Sequence, residues 1–274
     1  MDIDPRLADR LRELGRGSER LTVLTGAGIS AESGIPTFRG PEGYWTVGSR
    51  NYQPHQMATQ AMFSQAPREV WAWYLYRRGV CRRADPNPGH HATVTMERAL
   101  GDRFVLITQN VDGLHLRAGS SEARTYPIHG SIEHIRCGEA CTPRVRRFPD
   151  DVPCPGRGEP VPETAWDQLA CPDCGALSRP HVLWFDECYD EAWYRWDSSM
   201  QAAQSTDILL IVGTEGATTL PAVAAETAAR SGALIIDVNI RDNTFRQLAR
   251  HTGGFALNGP SGSVLPAVAA AIAT

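Results

Sequence analysis

The chain has 274 residues, of which 42% are hydrophobic. This hydrophobic content is enough to form the core of one large domain, or of one domain with a small insertion, and it is too high for a disordered chain. The formal net charge of −4 gives no general reason to expect a polyanion, so nucleic acid is not an expected partner. Residues 1–20 lack the apolar run of a signal peptide, and no segment approaches the about 18 apolar residues of a membrane-spanning helix. We therefore expect a soluble, cytoplasmic protein that does not bind membranes.

Strands and helices alternate along most of the chain. Short, apolar, β-prone runs predict buried strands at 21–25, 104–108, 208–212 and 234–238. Helical patterns lie between them at 67–83, 91–100 and 220–231. This alternation predicts the α/β class, with a doubly wound, Rossmann-like parallel sheet.

Two stretches interrupt the alternation. Residues 34–54 are rich in Gly, Pro and aromatics and predict a long functional loop. Residues 137–179 are rich in Pro, Gly, Cys and charge, which suggests an inserted module held by something other than a hydrophobic core. We therefore assign 1–136 and 180–274 to the large domain and 137–179 to a small zinc-binding module. The segment 34–83 contributes to the cleft.

A glycine turn follows the first strand. Residues 26–31 read GAGISA, which matches the G-x-G-x-x-G/A turn that lets a backbone approach a pyrophosphate at a helix N-terminus. Alone the motif is weak, because a tight β–α turn without a ligand has the same pattern. A dehydrogenase would next show a second strand and an acidic residue about 20 residues on. Here GIPTFRG follows at 34–40, which disfavours hydride transfer.

Several ordered motifs together resemble the sirtuin family. Residues 26–40, GAGISAESGIPTFRG, are similar to its first signature, and residues 108–115, TQNVDGLH, to its second. The similarity continues through His129-Gly130, 171–174, 179–187 and 213–239, so it covers nearly the whole chain. It implies an NAD⁺-dependent protein-lysine deacylase, which transfers the acyl group to ADP-ribose and releases nicotinamide. The implied partners are acyl-lysine-bearing proteins or peptides.

The resemblance also implies the catalytic residues. His129 is the expected general base, because an imidazole with an unperturbed pKa near about 6.5 can accept a proton from a ribose hydroxyl. Asn110 and Asp112 are expected to hold the nicotinamide carboxamide and its ribose, and Gln109 a ribose hydroxyl. Asn110 as a helix cap and Asp112 as a strand end are the alternatives. By similarity, His115 belongs to the nicotinamide motif and is not the base.

By the same similarity, the cofactor-binding residues are Gly26, Ala27, Gly28, Ser30, Ile35, Phe38, Arg39, Gln109, Asn110, Asp112, Gly213, Thr214, Glu215 and Asn239.

Two segments are expected to bind the acylated substrate. Residues 179–187 resemble the strand beside which the peptide lies, so Val182, Trp184 and Phe185 are candidate contacts. An apolar core strand is the alternative there. Tyr74 and Arg77 are three residues apart, hence on one helix face. They match a Tyr-x-x-Arg pair of the sirtuin subgroup that prefers malonyl, succinyl or glutaryl lysine, in which an Arg beside a phenol binds a carboxylate. A solvent-facing Arg beside a packing Tyr is the alternative.

Four of the seven cysteines form two close pairs. Cys137 and Cys141 lie about thirty positions before the C-x-x-C pair of Cys171 and Cys174, and together they can hold a structural Zn²⁺ in a tetrahedron. The three-residue spacing of the first pair departs from the family's usual two. Cys141 is therefore the least secure ligand, and Cys154 is a possible substitute.

Two positions depart from the family pattern. Glu215 stands where a Gly-Thr-Ser turn has Ser, so a carboxylate is expected near the cofactor phosphates. Asp186 stands where the family usually has Gly. Three other outcomes stay open: a deacetylase, an ADP-ribosyltransferase, and an NAD⁺-binding sensor in which Glu215 impairs catalysis. The chain contains no Lys, which excludes lysine automodification. The sequence does not reveal the oligomeric state.

Overall fold

Nine strands occur in the residues that the computed structural model describes, which are 3–37, 54–216 and 218–274. In chain order the strands are β1 (Leu21–Thr25), β2 (Phe104–Thr108), β3 (Thr125–Pro127), β4 (Gly130–Cys137), β5 (Val145–Arg147), β6 (Ser178–Val182), β7 (Ile208–Val212), β8 (Leu234–Asn239) and β9 (Phe255–Asn258). The helices are α1 (Pro5–Arg16), α2 (Pro54–Met57), α3 (Gln60–Gln65), α4 (Pro67–Arg83), α5 (Pro88–Leu100), α6 (Leu114–Ala118), α7 (Glu191–Tyr194), α8 (Trp196–Ser205), α9 (Thr219–Arg230), α10 (Thr244–His251) and α11 (Ser261–Ile272).

The larger sheet is parallel throughout. Its six strands lie in the order β3-β2-β1-β7-β8-β9. Numbered within this sheet, the strands have the 3-2-1-4-5-6 order of dinucleotide-binding folds. The predicted fold class is therefore confirmed. β1, β2 and β7 have the predicted bounds, because each is a short apolar run buried on both faces.

Helices cover both faces of this sheet, as a doubly wound fold requires. On one face, α1, α5 and α11 pack on the strands through buried side chains such as Leu11, Phe104 and Val264. On the other face, α8, α9 and α10 do so through Ala203, Ala224 and Phe245. Helix α5 begins at Pro88, earlier than predicted, because the Asn87 side chain accepts the Gly89 N–H at 2.9 Å and caps the helix.

The second sheet extends beyond the predicted bounds of the small module. It is antiparallel, in the order β5-β4-β6, so it begins at Gly130 and ends at Val182 and extends beyond 137–179 on both sides. Its buried side chains, including Ile135 and Phe148, belong to one hydrophobic cluster with Trp71 of α4. The module thus shares a hydrophobic core with α4. The sequence of 137–179 did not indicate this core, because its apolar residues do not recur at a regular spacing.

None of the helices in 3–37, 54–216 and 218–274 is both long and apolar enough to cross a membrane.

Candidate active site

The carboxyl ends of β1 and β7 meet at two glycine turns. The Gly28 N–H donates to the Gly213 carbonyl at 2.8 Å, and the Gly26 N–H donates to the Val212 carbonyl at 3.0 Å. A Cβ on Gly28 would lie 2.6 Å from the Gly213 Cα, closer than packed atoms approach. Gly213 also has a φ of +60°, which favours glycine. The two turns therefore lie together at the point where strand order reverses, which is where such sheets bind dinucleotides.

Gln109 and Asn110 link β2 to these turns. The Gln109 amide donates to the Thr214 hydroxyl at 2.9 Å. The Asn110 amide donates to the Gly26 carbonyl at 3.1 Å and to the Ser30 hydroxyl at 3.0 Å. Asn110 does not cap a helix through these bonds, because both acceptors belong to the glycine turn and its short 3₁₀ helix, Ala27–Ser33. The polar residues predicted from the motifs that follow β1 and β2 are thus brought together.

Asp112 lies in the same cluster. It is buried, and its carboxylate accepts the Ser30 hydroxyl at 2.7 Å and the Leu114 N–H at 2.9 Å. Burial raises the pKa of Asp112, while the bonds from Leu114 and Ser30 act in the opposite direction. The Asp112 carboxylate is therefore buried and held in a fixed orientation by these two hydrogen bonds.

Other predicted cofactor residues border this region. Asn239, at the end of β8, donates to the Thr214 carbonyl at 3.1 Å, and Ile35 is buried. Glu215 is exposed, and its carbonyl accepts the Thr244 hydroxyl at 3.4 Å. Phe38 and Arg39 lie outside the described residues.

His129 lies immediately before β4, beside Gln109. Its Nδ1 is 2.9 Å from the Gln109 carbonyl, and its Nε2 is 2.8 Å from the Tyr189 hydroxyl. Burial lowers the pKa of His129 to about 4, and the bond to the Gln109 carbonyl raises it. The imidazole is therefore neutral at neutral pH and able to accept a proton. Tyr189 was missed by sequence reasoning, because no motif contains it and the two residues are 60 positions apart.

Four cysteines form a compact cluster at the far end of the second sheet. The sulfur atoms of Cys137, Cys141, Cys171 and Cys174 all lie within 4.8 Å of one another. The Cys137–Cys174 and Cys141–Cys171 distances are 3.6 and 3.7 Å. A tetrahedron with Zn–S bonds of about 2.3 Å puts its sulfurs about 3.8 Å apart. The four residues therefore fit a Zn²⁺ ion.

The cluster contains Cys141 and not Cys154. Cys141 belongs to the cluster, because Ala140 adopts a φ of 49° and turns the longer first loop back toward Cys137. The Cys154 sulfur lies instead 3.9 Å from the Arg78 guanidinium. In the second pair, Cys171 accepts the Gly175 N–H at 2.8 Å through its carbonyl, and Gly175 has a φ of +76°.

Comparisons with known proteins agree on one family. Residues 26–219 match the Sir2 family. The chain is 39% identical to an NAD-dependent protein deacylase of Leptospira interrogans over 251 residues, which cover 90% of this chain and 91% of the relative. It is 36% identical to the mitochondrial NAD-dependent protein deacylase sirtuin-5 of Danio rerio, over 93% of this chain and 84% of that protein. The chain belongs to the Sir2 family.

Solved Sir2 structures have the same overall fold. A Sir2 homologue in complex with 2′-O-acetyl ADP ribose superposes with a TM-score of 0.80 at 33% identity, over 98% of this chain and 96% of that one. A Sir2 homologue–NAD complex superposes with a TM-score of 0.79 at 33% identity, over 96% and 93%. NAD is therefore the cofactor that the glycine turns of this Sir2 chain fit.

Tyr74 and Arg77 of the predicted substrate pair are both buried, which excludes the alternative of a solvent-facing Arg. The Tyr74 hydroxyl accepts the Trp184 indole N–H at 2.8 Å, and burial raises the pKa of Tyr74. The Arg77 guanidinium carbon lies 4.5 Å from the centre of the Trp73 ring. A cation is thus held among aromatic rings beside a phenol.

The other candidate substrate residues lie around the end of β6. This strand ends at Val182, so Trp184 and Phe185 follow it, contrary to a strand over 179–187. It ends there because Glu187 accepts the Trp184 N–H at 2.9 Å and pairs with Arg179. Val182 and Trp184 are buried, and 53% of Phe185 is exposed.

Asp186, the second departure from the family pattern, has a local structural role. Its carboxylate accepts the N–H groups of Gln60 at 2.8 Å and Ala61 at 3.1 Å. These are the first residues of α3, so Asp186 satisfies free donors at a helix N-terminus and its charge is favourable there. This substitution joins α3 to the segment after β6.

Proposed function

We propose that this Sir2-family chain is an NAD⁺-dependent protein-lysine deacylase that prefers acyl groups ending in a carboxylate. The observation that carries the proposal is the position of the His129 imidazole, hydrogen-bonded to the Gln109 carbonyl at the edge of the sheet where the two glycine turns meet. Family membership supports the reaction, and the environment of Arg77 supports the acyl preference.

Bound NAD⁺ supplies a nicotinamide–ribose bond that can break with release of nicotinamide, leaving the ribose carbon to accept the acyl oxygen. For this reaction the chain must hold the dinucleotide still, keep water away and accept a proton. The backbone of the turns at Gly28 and Gly213 leaves room for the pyrophosphate. Asn110 and Asp112, oriented by Ser30 and Leu114, would hold the nicotinamide side.

His129 is the proposed general base. A carbonyl can only accept a hydrogen bond, so the bond to Gln109 keeps a proton on Nδ1 and leaves the lone pair on Nε2. Nε2 could then accept the proton of a ribose hydroxyl of bound NAD⁺, which would make that oxygen a better nucleophile toward the acyl group. The low pKa of about 4 keeps this nitrogen unprotonated across the physiological range.

The acyl preference rests on the charge of Arg77. A buried guanidinium is stabilised most by a carboxylate that it can bind through two parallel hydrogen bonds. Tyr74 accepts a bond from Trp184, so its own O–H proton can be donated to the same carboxylate. An acetyl group would offer neither partner a charge. Succinyl, malonyl or glutaryl lysine is therefore the proposed substrate class.

The Cys₄ site has a structural role in this proposal. Four thiolate ligands leave no open position on Zn²⁺ for water or substrate. The ion would instead tie the loop after β4 to the loop before β6.

The test compares acetyl and succinyl forms of one lysine peptide. We expect the wild type to have the higher kcat/KM for the succinyl form, and Arg77→Met to lose at least about 10-fold of that preference, because a charge-assisted hydrogen bond contributes about 1.5–3 kcal/mol. Arg83→Met, an exposed position on the same helix, is the matched control and should behave as wild type. An acetyl preference in the wild type would refute the proposed acyl class. Nicotinamide release without acyl-ADP-ribose would instead favour ADP-ribosyl transfer.

A further inference from the structure

The Tyr189 hydroxyl lies in the way of the proposed proton transfer. It is 2.8 Å from Nε2 of His129, and the two rings lie with centroids 5.9 Å apart and planes inclined by 32°. Tyr189 is itself held by the Trp196 ring at 5.5 Å. The Tyr189 ring is thus packed on two sides, and its hydroxyl forms a hydrogen bond of ordinary length with His129.

The direction of this bond follows from the other side of the ring. Nδ1 faces the Gln109 carbonyl, which has no proton to donate, so Nδ1 carries the hydrogen. In a neutral imidazole the other nitrogen then has one lone pair and no proton. The Tyr189 hydroxyl therefore donates to Nε2. A ribose hydroxyl that delivers its proton to His129 needs the same lone pair.

We propose that Tyr189 is a positioning residue whose hydroxyl holds Nε2 of His129 until the ribose hydroxyl of the cofactor takes its place. This inference rests on the proposed function, in which His129 is the base. One lone pair cannot accept two hydroxyl protons, so the two hydroxyls compete. Before the cofactor binds, Tyr189 fixes the ring in the tautomer that the reaction needs.

The hydrogen bond has a measurable consequence in the free protein. A donor on Nε2 stabilises the neutral ring, so its removal raises the pKa of His129. Apart from this bond, burial lowers the pKa of His129 and the Gln109 carbonyl raises it, and no charged side chain of the described residues is among these causes. Tyr189→Phe keeps the ring and its packing, so burial of His129 is preserved while the bond is lost.

The first experiment is an NMR titration of the histidine rings in the free protein, with His129→Asn to assign the signal. We expect Tyr189→Phe to raise the His129 pKa by about half to one unit, the equivalent of one hydrogen bond. Tyr76→Phe is the matched control, because Tyr76 lies on α4, on the face opposite Tyr74. Loss of the Tyr76 hydroxyl should leave the His129 pKa unchanged. An unchanged His129 pKa in Tyr189→Phe would overturn the inference.

The second experiment is a calorimetric titration with ADP-ribose, which carries the competing hydroxyls but no nicotinamide. We expect Tyr189→Phe to bind it about 2- to 10-fold more tightly, because no Tyr–His bond has to break. Equal or weaker binding would show that the hydroxyls do not compete and would overturn the inference. Neither measurement depends on turnover. If Tyr189→Phe raises the His129 pKa and tightens ADP-ribose binding, but the wild type does not deacylate peptides, only the proposed function is refuted.

Discussion

The edge of the parallel sheet and the Cys₄ end of the second sheet organise their polar groups in different ways. At the sheet edge, backbone contacts between two glycine turns and hydrogen bonds between Ser30 of the Ala27–Ser33 turn and the side chains that follow β2 complete the site. At the Cys₄ end, four sulfurs within 4.8 Å of one another would repel as thiolates without a cation between them. The first region is therefore organised by the chain alone, and the second depends on an ion.

Removal of one zinc ligand should have the largest effect. Cys171→Ser leaves three thiolates, and zinc binding in small modules is worth about 10–16 kcal/mol of folding free energy. We expect loss of bound zinc, measured by elemental analysis, and loss of deacylation, with a parallel sheet that still unfolds cooperatively.

The control for this prediction is Cys188→Ser, since Cys188 is exposed and outside the cluster. It should keep its zinc and its activity. Full zinc content in Cys171→Ser would contradict the claim that the Cys₄ end of the second sheet depends on a bound ion.

A change at the base should abolish chemistry without loosening the fold. His129→Asn can still donate to the Gln109 carbonyl but cannot accept a proton, so we expect kcat to fall by about 10²- to 10⁴-fold. The midpoint of urea unfolding should stay near that of the wild type. His251→Asn, at an exposed position on α10, should retain full activity, and equal losses in both variants would contradict the role given to His129.

Acid should weaken the fold through its buried histidines. Burial lowers the pKa of His90 and His129 to about 4 and that of His181 to about 3. Between pH 6.5 and about 4 the unfolded chain takes up protons that the folded chain refuses, so stability falls as the pH falls. Each such histidine contributes a slope of up to about 1.4 kcal/mol per pH unit in that window.

The measurement is urea unfolding at pH 7, 6 and 5. Asp112 and Asp237 act against this loss of stability in acid. Burial raises the pKa of both carboxyl groups, so the folded protein binds their protons more readily than the unfolded chain does. A free energy of unfolding that stays constant or rises from pH 7 to pH 5 would contradict the burial of these histidines as neutral rings.

The smallest effect is expected at Glu215. Its carboxylate is exposed after β7, beside the turn where the phosphates of the cofactor are proposed to lie, and like charges disfavour binding. We expect Glu215→Ser to bind NAD⁺ a few-fold more tightly in a calorimetric titration. Glu226→Gln, an exposed position on α9, is the control, and unchanged or weaker binding in Glu215→Ser would reject the idea.

Local patterns predicted the parallel sheet well, because a strand buried on both faces is a continuous apolar run, as in 21–25 and 208–212. They predicted the small module less well. Its first strand, Gly130–Cys137, precedes the cysteines, and its apolar side chains find their partners on α4, far away in the sequence.

The site shows the same limit. The glycine turn, the Asn110–Asp112 pair and His129 could be predicted as site residues because short motifs contain them. The tyrosine on Nε2 of His129 and the Asp186 cap of α3 were not, because each depends on a contact between distant positions. Likewise, spacing alone could not choose between Cys141 and Cys154, since a left-handed residue such as Ala140 absorbs the extra length.

The most direct test of the proposed deacylation is a mass-spectrometric analysis of the products that the purified protein forms from NAD⁺ and a succinyl-lysine peptide. We expect the wild type to form equal amounts of nicotinamide, free-lysine peptide and succinyl-ADP-ribose, and His129→Asn to form no more than a trace of each. Peptide that keeps its succinyl group while the wild type binds NAD⁺ would contradict the proposed function.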